Sequence, residues 1–331
     1  MIRWIANPDV RELSEAPEFA AAVSAIRSGQ LVAIPTETVY GLGADATNPQ
    51  ACAGIYAAKG RPSFNPLIAH VPSLAEAESH GVFDARARRL AEVFWPGPLT
   101  LVVPKRPESP VSDLATAGLD TIALRVPAAR IMRDLARAAG RPIAAPSANR
   151  SGRISATTAD DVIEDLGEHL AVVIDTGPTP VGVESTIVAL AGDRPLLLRP
   201  GGLSREKIEA VLGEPLLRAG SNDETPAAPG MLTSHYAPDA RLRLHAKNVG
   251  PGEALLAFGL PLPPGYEKAA AIENLSETGD LKEAAARLFT ALRKLDASGA
   301  STICAMPVPN EGLGEAINDR LARAAAPRAS E

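Results

Sequence analysis

The sequence predicts an α/β protein built on a mixed sheet with covering helices, joined by a linker to a smaller α/β unit. Over the first two thirds, short β-rich runs alternate with Ala-rich helical runs, the pattern of one sheet covered by helices. Some neighbouring strands, such as 186–190 and 196–199 joined across Gly192-Asp193, are too close for a helical crossover. The sheet must therefore be mixed, and a plain Rossmann fold is disfavoured. Apolar periodicity then disappears at residues 220–230, which read as a linker.

Each element has a local reason. Residues 17–28 carry Phe19, Val23 and Ile26 on one helical face and stop at Gly29. Residues 31–34 read as a buried strand. Asn48-Pro49 offers a side-chain cap and a proline in the first turn, so a helix should run to Lys59 and close at Gly60. Further strands are expected at 67–71, 99–103, 121–126, 143–145, 172–175, 186–190 and 196–199, with helices near 128–139, 158–166 and 205–212. From about Asp239 the smaller unit has a strand at 254–258, a helix at 281–295, a strand at 302–305 and a last helix ending near Ala326. The expected division is 1–213, 214–238 for the linker, and 239–331.

Composition narrows the function. With 331 residues, 46% of them hydrophobic, the chain can bury one good core or two modest ones. Charged residues at 22% and a mean hydropathy of +0.02 fit a folded soluble protein. No apolar run reaches the length of a membrane span, and the first residues lack the basic and apolar regions of a signal peptide, so a cytoplasmic location is expected. A net charge of -6 argues against a surface that holds long stretches of phosphate backbone, so no tight nucleic-acid binding is expected and any phosphate ligand must be held locally. Cys52 and Cys304 form no CxxC pair and read as small buried residues.

Polar residues recur where strands end. Pro35-Thr-Glu-Thr-Val-Tyr-Gly-Leu-Gly43 follows the buried strand, and its glycines would let backbone approach a ligand; the plainer reading is a turn whose hydroxyls satisfy their own backbone. Lys59-Gly-Arg-Pro-Ser-Phe-Asn-Pro66 sets two cations and an amide in a loop stiffened by prolines, which suits a polyphosphate clamp, although Lys59 would also favour a helix C-terminus. His70 lies near a strand end, where a lone histidine is more often structural. Arg125 is the sharper clue: a guanidinium inside an apolar strand demands an anion, either a substrate carboxylate or an internal acid. Ala145-Pro-Ser-Ala-Asn-Arg-Ser-Gly152, Gly182-Val-Glu-Ser-Thr186 and Leu198-Arg-Pro-Gly-Gly202 add further polar boundaries, and their recurrence favours one shared cleft. No GxxxxGK[ST], GxGxxG after the first strand, HExxH or GxSxG occurs, so chemistry should rest on positioning and charge stabilisation.

Read together, the motifs Pro35–Gly43, Lys59-Gly-Arg-Pro62, Asn65-Pro-Leu67, Trp95-Pro-Gly-Pro-Leu-Thr100, Arg125-Val-Pro127, Ala145-Pro-Ser-Ala-Asn149 and Glu184-Ser-Thr186 resemble the threonylcarbamoyl-adenylate synthase family. Pro229-Gly-Met231, His235-Tyr-Ala-Pro238, Gly312-Leu-Gly314 and Ala316-Ile-Asn-Asp-Arg-Leu321 resemble its longer, two-domain form; Leu232-Thr-Ser234 departs from it, since many members carry a basic residue before His235. The resemblance implies a YrdC-like twisted mixed sheet and a linker that folds back over the site, leading to a smaller Rossmann-like α/β domain. It implies that Thr38, His70, Arg125, Ala145 and Ser185 line a threonine pocket. It implies that Arg61, Asn65, Thr121, Ser147, Ser155, Arg199 and Tyr236 bind ATP, with Lys59 beside the phosphates and Lys59 and Arg61 serving the chemistry. L-Threonine, bicarbonate and ATP would be the substrates, a tRNA threonylcarbamoyl transferase complex the downstream partner, and Mg²⁺ would be held mainly by the phosphates, with no protein metal cage. An RNA-binding module, or carbamoyl transfer to another acceptor, are the rival readings. The acidic total and the absence of an aromatic-basic strip count against the first; the absence of zinc-finger or acylphosphatase-like parts counts against the second.

Overall fold

The computed structural model describes residues 1–7, 13–218, 228–229 and 235–327. Expectations for Gly230, Met231, the Leu232-Thr-Ser234 departure, most of the linker and the last four residues lie outside the described residues.

The larger unit runs β1 (Ile2–Ile5), α1 (Pro17–Arg27), β2 (Leu31–Ile34), β3 (Gly41–Asp45), α2 (Pro49–Lys59), β4 (Ile68–His70), α3 (Leu74–His80), α4 (Ala85–Phe94) and β5 (Leu99–Pro104). It continues with β6 (Thr121–Arg125), α5 (Arg130–Ala139), β7 (Ile143–Ala144), α6 (Ala159–Leu166), β8 (Leu170–Asp175), β9 (Thr186–Ala189), β10 (Leu196–Arg199), α7 (Arg205–Leu212) and β11 (Leu217–Arg218). Among the described residues these strands form one sheet in the order β1-β8-β2-β3-β7-β4-β6-β5-β9-β10-β11. It is mixed as expected: β4 runs parallel to β6, while β5 pairs antiparallel with β6 and β10 with β9. The expected cap on α2 is present, with Asn48 accepting from Gln50 N and Ala51 N and Gly60 closing the helix at φ 60°.

Several elements were not foreseen. β1, α3 and α4 lie in stretches to which the sequence reading gave no element, and β11 begins inside the expected linker by pairing parallel with β10. The most instructive correction is β3. Gly41 and Gly43 do not form a ligand-facing turn; they sit in a fully buried strand paired antiparallel with β2 and β7. A side chain at Gly43 would collide with Ile34 Cδ1 and press on Ile143 Cγ2 at 3.2 Å, so this glycine serves close packing between strands.

Helices cover both faces of the sheet. Ala51, Cys52 and Ile55 of α2, Ala77 of α3 and Leu90 of α4 pack with Ala69, Leu101 and Leu124 in one core. Phe19 and Ile26 of α1 and Ile131 and Leu135 of α5 pack with Val32, Ile34 and Ile174 in another. Side chains alternate across a strand, so Ile68 and His70 of β4, with Thr121, Ala123 and Arg125 of β6, point the other way from Ala69 and Leu124. That opposite face carries a small apolar floor of Ile68, Val102, Ala123, Ile187 and Leu198, on which the linker residue Ala228 is seated.

The smaller unit comprises β12 (Arg241–Arg243), β13 (Ala254–Ala257), β14 (Ile272–Asn274), α8 (Leu281–Ala297), β15 (Thr302–Ala305) and α9 (Gly314–Ala325). Its strands are all parallel in the order β12-β15-β13-β14. Leu288, Phe289 and Leu292 of α8 and Ile317 and Leu321 of α9 pack on Leu256 and Ile303. The same core takes in Val39, Ile154 and Val183 of the larger unit and Tyr236, so one apolar cluster spans the seam between the units.

Candidate functional site

The register of the sheet builds the site. His70 and Arg125 are directly paired across β4 and β6, so their side chains emerge side by side from one face. Chain reversals after β2 and β7 and before β9 bring Thr38, Ser147, Glu184 and Ser185 to the same place, and β10 ends there with Arg199. One cavity is lined by Thr38, Arg61, His70, Arg125, Ala145, Ser147, Ser185, Arg199 and Tyr236, all foreseen in the sequence, together with Val39, Ile68, Pro146, Glu184, Pro229 and His235.

Arg125 is held from three sides. Its Nη2 donates to Glu37 Oε1 at 2.6 Å, Nη1 to Thr38 Oγ1 at 3.1 Å and Nε to Gly97 O at 3.3 Å. The internal acid left open by the sequence is therefore Glu37, whose other oxygen accepts from Ala129 N at 3.2 Å. Burial alone would raise the Glu37 pKa, but the Arg125 charge and hydrogen bond outweigh it and hold the carboxyl below its usual range. Burial, aided by Arg125, pushes His70 down to about 3. The ring is thus neutral and rests against Ile143 O at 3.3 Å from Nδ1.

The other wall is cationic and less complete. Arg199 donates from Nε and Nη2 to Ser185 O at 3.1 and 2.9 Å and from Nη1 to Pro229 O at 3.2 Å, so a linker carbonyl occupies one of its donors. Arg61 donates to the carbonyls of Asn65 and Pro66 at 3.2 and 3.0 Å, and burial lowers its pKa to about 10. His235, also driven to about 3 chiefly by burial, has no hydrogen-bond partner at Nδ1. The buried Asn65 amide has none at either polar atom. Unsatisfied groups of this kind cost free energy and mark where a ligand would fit.

Four foreseen residues stand off the cavity. Lys59 lies one step behind it, donating to Ser147 O at 2.6 Å and to Asn149 O, and burial followed by Arg61 pushes its ammonium well below its ordinary pKa. Asn65 lies behind Arg61, and Ser155 donates to Glu184 Oε1 at 2.5 Å. Thr121 shares the face of β6 with Arg125 but stands four residues away, about 13 Å along the strand, beyond Ala123 where Ala228 now sits.

Three charged contributors escaped the sequence reading. Glu37 and Glu184 were quoted within motifs but given no role. Arg320, from α9, donates to Glu184 Oε2 at 2.8 Å although the two are 136 residues apart. Its signal was visible: Arg320 sits on the apolar stripe of Ala316, Ile317, Leu321 and Ala324, where a charge needs a buried partner.

Comparison with known proteins agrees with this architecture. Residues 24–201 match the Sua5/YciO/YrdC family model, described as telomere recombination, and residues 203–326 match the model of the threonylcarbamoyl-AMP synthase C-terminal domain. The chain is 40% identical to the threonylcarbamoyl-AMP synthase of Bacillus subtilis, with 98% of both chains covered. It is 42% identical to that of Pyrococcus abyssi, with 96% of both covered. The crystal structure of P. abyssi Sua5 complexed with L-threonine superposes with a TM-score of 0.86 at 38% identity, covering 98% of this chain and 97% of that one. Matches that span both units and every motif lead to one conclusion: the chain belongs to the threonylcarbamoyl-AMP synthase family, nucleotidyltransferases that use ATP, in its two-domain form.

Proposed function

We propose that the chain makes threonylcarbamoyl-AMP from L-threonine, bicarbonate and ATP on the sheet face around Arg125, releasing pyrophosphate and water. The observation that carries this reading is a surplus of buried positive charge. Lys59, Arg61, Arg125, Arg199 and Arg320 are all buried, against one buried carboxylate among them, Glu184, and the partly buried Glu37 and Asp319. Such a surplus is unfavourable unless an anion joins it, and a triphosphate beside an amino-acid carboxylate supplies the charge.

Threonine takes the wall of Thr38, His70, Arg125, Ala145 and Ser185, its carboxylate on the Arg125 guanidinium. ATP lies toward Arg61, Asn65, Ser147, Ser155, Arg199 and Tyr236, with Lys59 beside the phosphates. Its base runs over the apolar floor toward Thr121, where Ala228 now sits. Bicarbonate and the threonine amine give an N-carboxy-threonine. A carbamate oxygen then attacks the α-phosphorus and the bond to the pyrophosphate oxygen breaks. The residues align this displacement and spread the charge on phosphorus and leaving group; no protein nucleophile is involved.

The cavity has a free volume of about 40 Å³, room for about one water molecule and not for these substrates. Residues 214–238 therefore act as a cover between units 1–213 and 239–331, lifting for entry and closing to keep water from the carbamate. Mg²⁺ accompanying ATP would be held mainly by phosphate oxygens and water. No described helix is long and apolar enough to cross a membrane. The product passes to a tRNA threonylcarbamoyl transferase complex for modification beside the anticodon.

Incubation with radiolabelled bicarbonate, ATP and each amino acid in turn, followed by resolution of the nucleotides, tests the reading. A labelled adenylate that forms with threonine supports it; none with any amino acid overturns it. A filter-binding measurement with tRNA separates the RNA-binding alternative, which requires tight binding without ATP.

A further inference from the structure

The second domain contributes a charged group to the wall of the cavity. Arg320 belongs to α9 yet is fully buried. It donates from Nε to Glu184 Oε2 at 2.8 Å, from Nη2 to Pro200 O at 3.0 Å and from Nη1 to Asp319 Oδ2 at 2.5 Å. The guanidinium carbon also lies 5.0 Å from the centroid of the Tyr236 ring, which stacks on Phe289 of α8 at 5.6 Å. Glu184 lines the cavity, and its second oxygen fixes the Ser155 hydroxyl at 2.5 Å.

The location of Glu184 poses a physical problem that Arg320 solves. An unpaired carboxylate in the wall of a triphosphate site would repel its ligand through a low-dielectric medium. Burial works to raise the Glu184 pKa, but Arg320 and Arg199 outweigh it and keep the group ionised, at about 2. The wall thus keeps a charge it must cancel locally; Asp319 also draws on Arg320 but is held by Arg323 at 3.1 Å as well, which leaves Arg320 to answer Glu184.

We propose that Arg320 is a positioning residue through which the second domain completes the nucleotide side of the cavity: it cancels the charge of Glu184 and fixes the Glu184–Ser155 pair and the Tyr236 ring. The inference rests on the reading that ATP binds in this cavity. It gives the second domain a direct electrostatic part in ATP affinity, not just a supporting one.

The test is a charge-pair cycle on the full chain, read as the Kd for ATP by calorimetry and the KM for ATP and for threonine. Arg320→Met should weaken ATP at least tenfold while the threonine KM stays within about twofold, because Arg125 and Glu37 are untouched. Arg320→Met with Glu184→Gln removes the uncompensated charge, so it should fold at least as well as the single variant and recover ATP affinity to within about threefold. Glu315→Gln gives the control. It breaks the pairs of Glu315 with Arg205 and Arg218 at the same seam, away from the cavity, and should lower Tm without changing ATP affinity.

Unchanged ATP affinity in Arg320→Met would overturn the inference. So would a double variant as weak as the single, or a loss in Glu315→Gln equal to that in Arg320→Met, since either would mean that the arginine serves only packing. Wild-type protein that binds no ATP would overturn the earlier reading and this one together, which distinguishes the two failures.

Discussion

The wall around Arg125 and the wall around Arg199 face one cavity, yet they are finished to different degrees. Around Arg125 every contributor comes from the larger sheet and its loops, and the guanidinium is satisfied by Glu37, Thr38 and Gly97 without any ligand. Around Arg199 the contributors come from three parts of the chain: the sheet, the linker through Pro229 and Tyr236, and α9 through Arg320. There Asn65 and His235 still hold unpaired polar atoms. The wall we assign to threonine is complete within the larger unit; the wall we assign to ATP is assembled from three parts of the chain. Sites complete within one unit need little reorganisation to bind, whereas assembled ones gain a means of admission and control.

The contrast can be broken most forcefully at Arg125. Arg125→Ala removes the carboxylate grip and leaves Glu37 buried without its cation, a loss on the order of 2 to 4 kcal/mol. We expect kcat/KM for threonine to fall about thirty- to thousand-fold in a pyrophosphate-release assay, with much smaller change in ATP affinity. Equal losses for both substrates would mean that the walls are not separate.

At the seam, Gly182→Ala is next in size. Gly182 has φ 74°, and a side chain there would collide with Ala285 O and Ala286 Cα on α8. Strain and overpacking together should cost about 1 to 3 kcal/mol. Differential scanning should show a lower Tm, and ATP affinity should suffer more than threonine affinity, because only the assembled wall depends on the docked second domain. A variant with unaltered Tm would show that the seam has room to give.

Acid probes both walls at once through His70 and His235. Each ring is held near 3 in the folded protein, against about 6.5 when unfolded. The unfolded chain therefore binds more protons below pH 6.5. The stability that depends on these neutral rings is complete above pH 6.5 and is lost as the pH falls toward 3, by up to about 1.4 kcal/mol per pH unit for each ring. Between pH 6.5 and 4.5, above the range where Glu184 and Glu37 begin to contribute, His70→Gln should lessen the slope of unfolding free energy against pH. An unchanged slope would mean that His70 is protonated in the folded state.

Thr121→Val should have the smallest effect. Thr121 shares a face with Arg125 but lies outside the present cavity, so ATP KM should rise a few-fold and threonine KM should not move. A large effect on threonine would place the two substrates the other way round.

The sequence revealed the two walls unevenly, for the same physical reason. Arg125, Lys59, Arg61 and Ser147 lie in short segments whose composition is itself unusual, a charge in an apolar strand or hydroxyls beside proline and glycine. They could be picked out without tertiary knowledge. Most strands were legible as apolar runs, and α2 through its Asn48 cap. β3 was not, because Gly41-Leu-Gly-Ala-Asp45 has poor strand propensity and owes its conformation to pairing with β2 and β7 on either side. The partnership of Arg320 with Glu184 was equally hidden. Each looked local, one in a helix stripe and one before a strand, and only the docking of two units joins them.

Tyr236 carries one more consequence in its backbone. Its φ of 64° lies in the left-handed region, which a residue with a β-carbon occupies at a cost of about 1 to 2 kcal/mol. The ring stays wedged between Phe289, His235 and the Arg320 guanidinium, and those contacts hold the main chain against its own preference. The docked position of the ring is therefore less stable than those contacts alone would make it, by the cost of a single torsion angle.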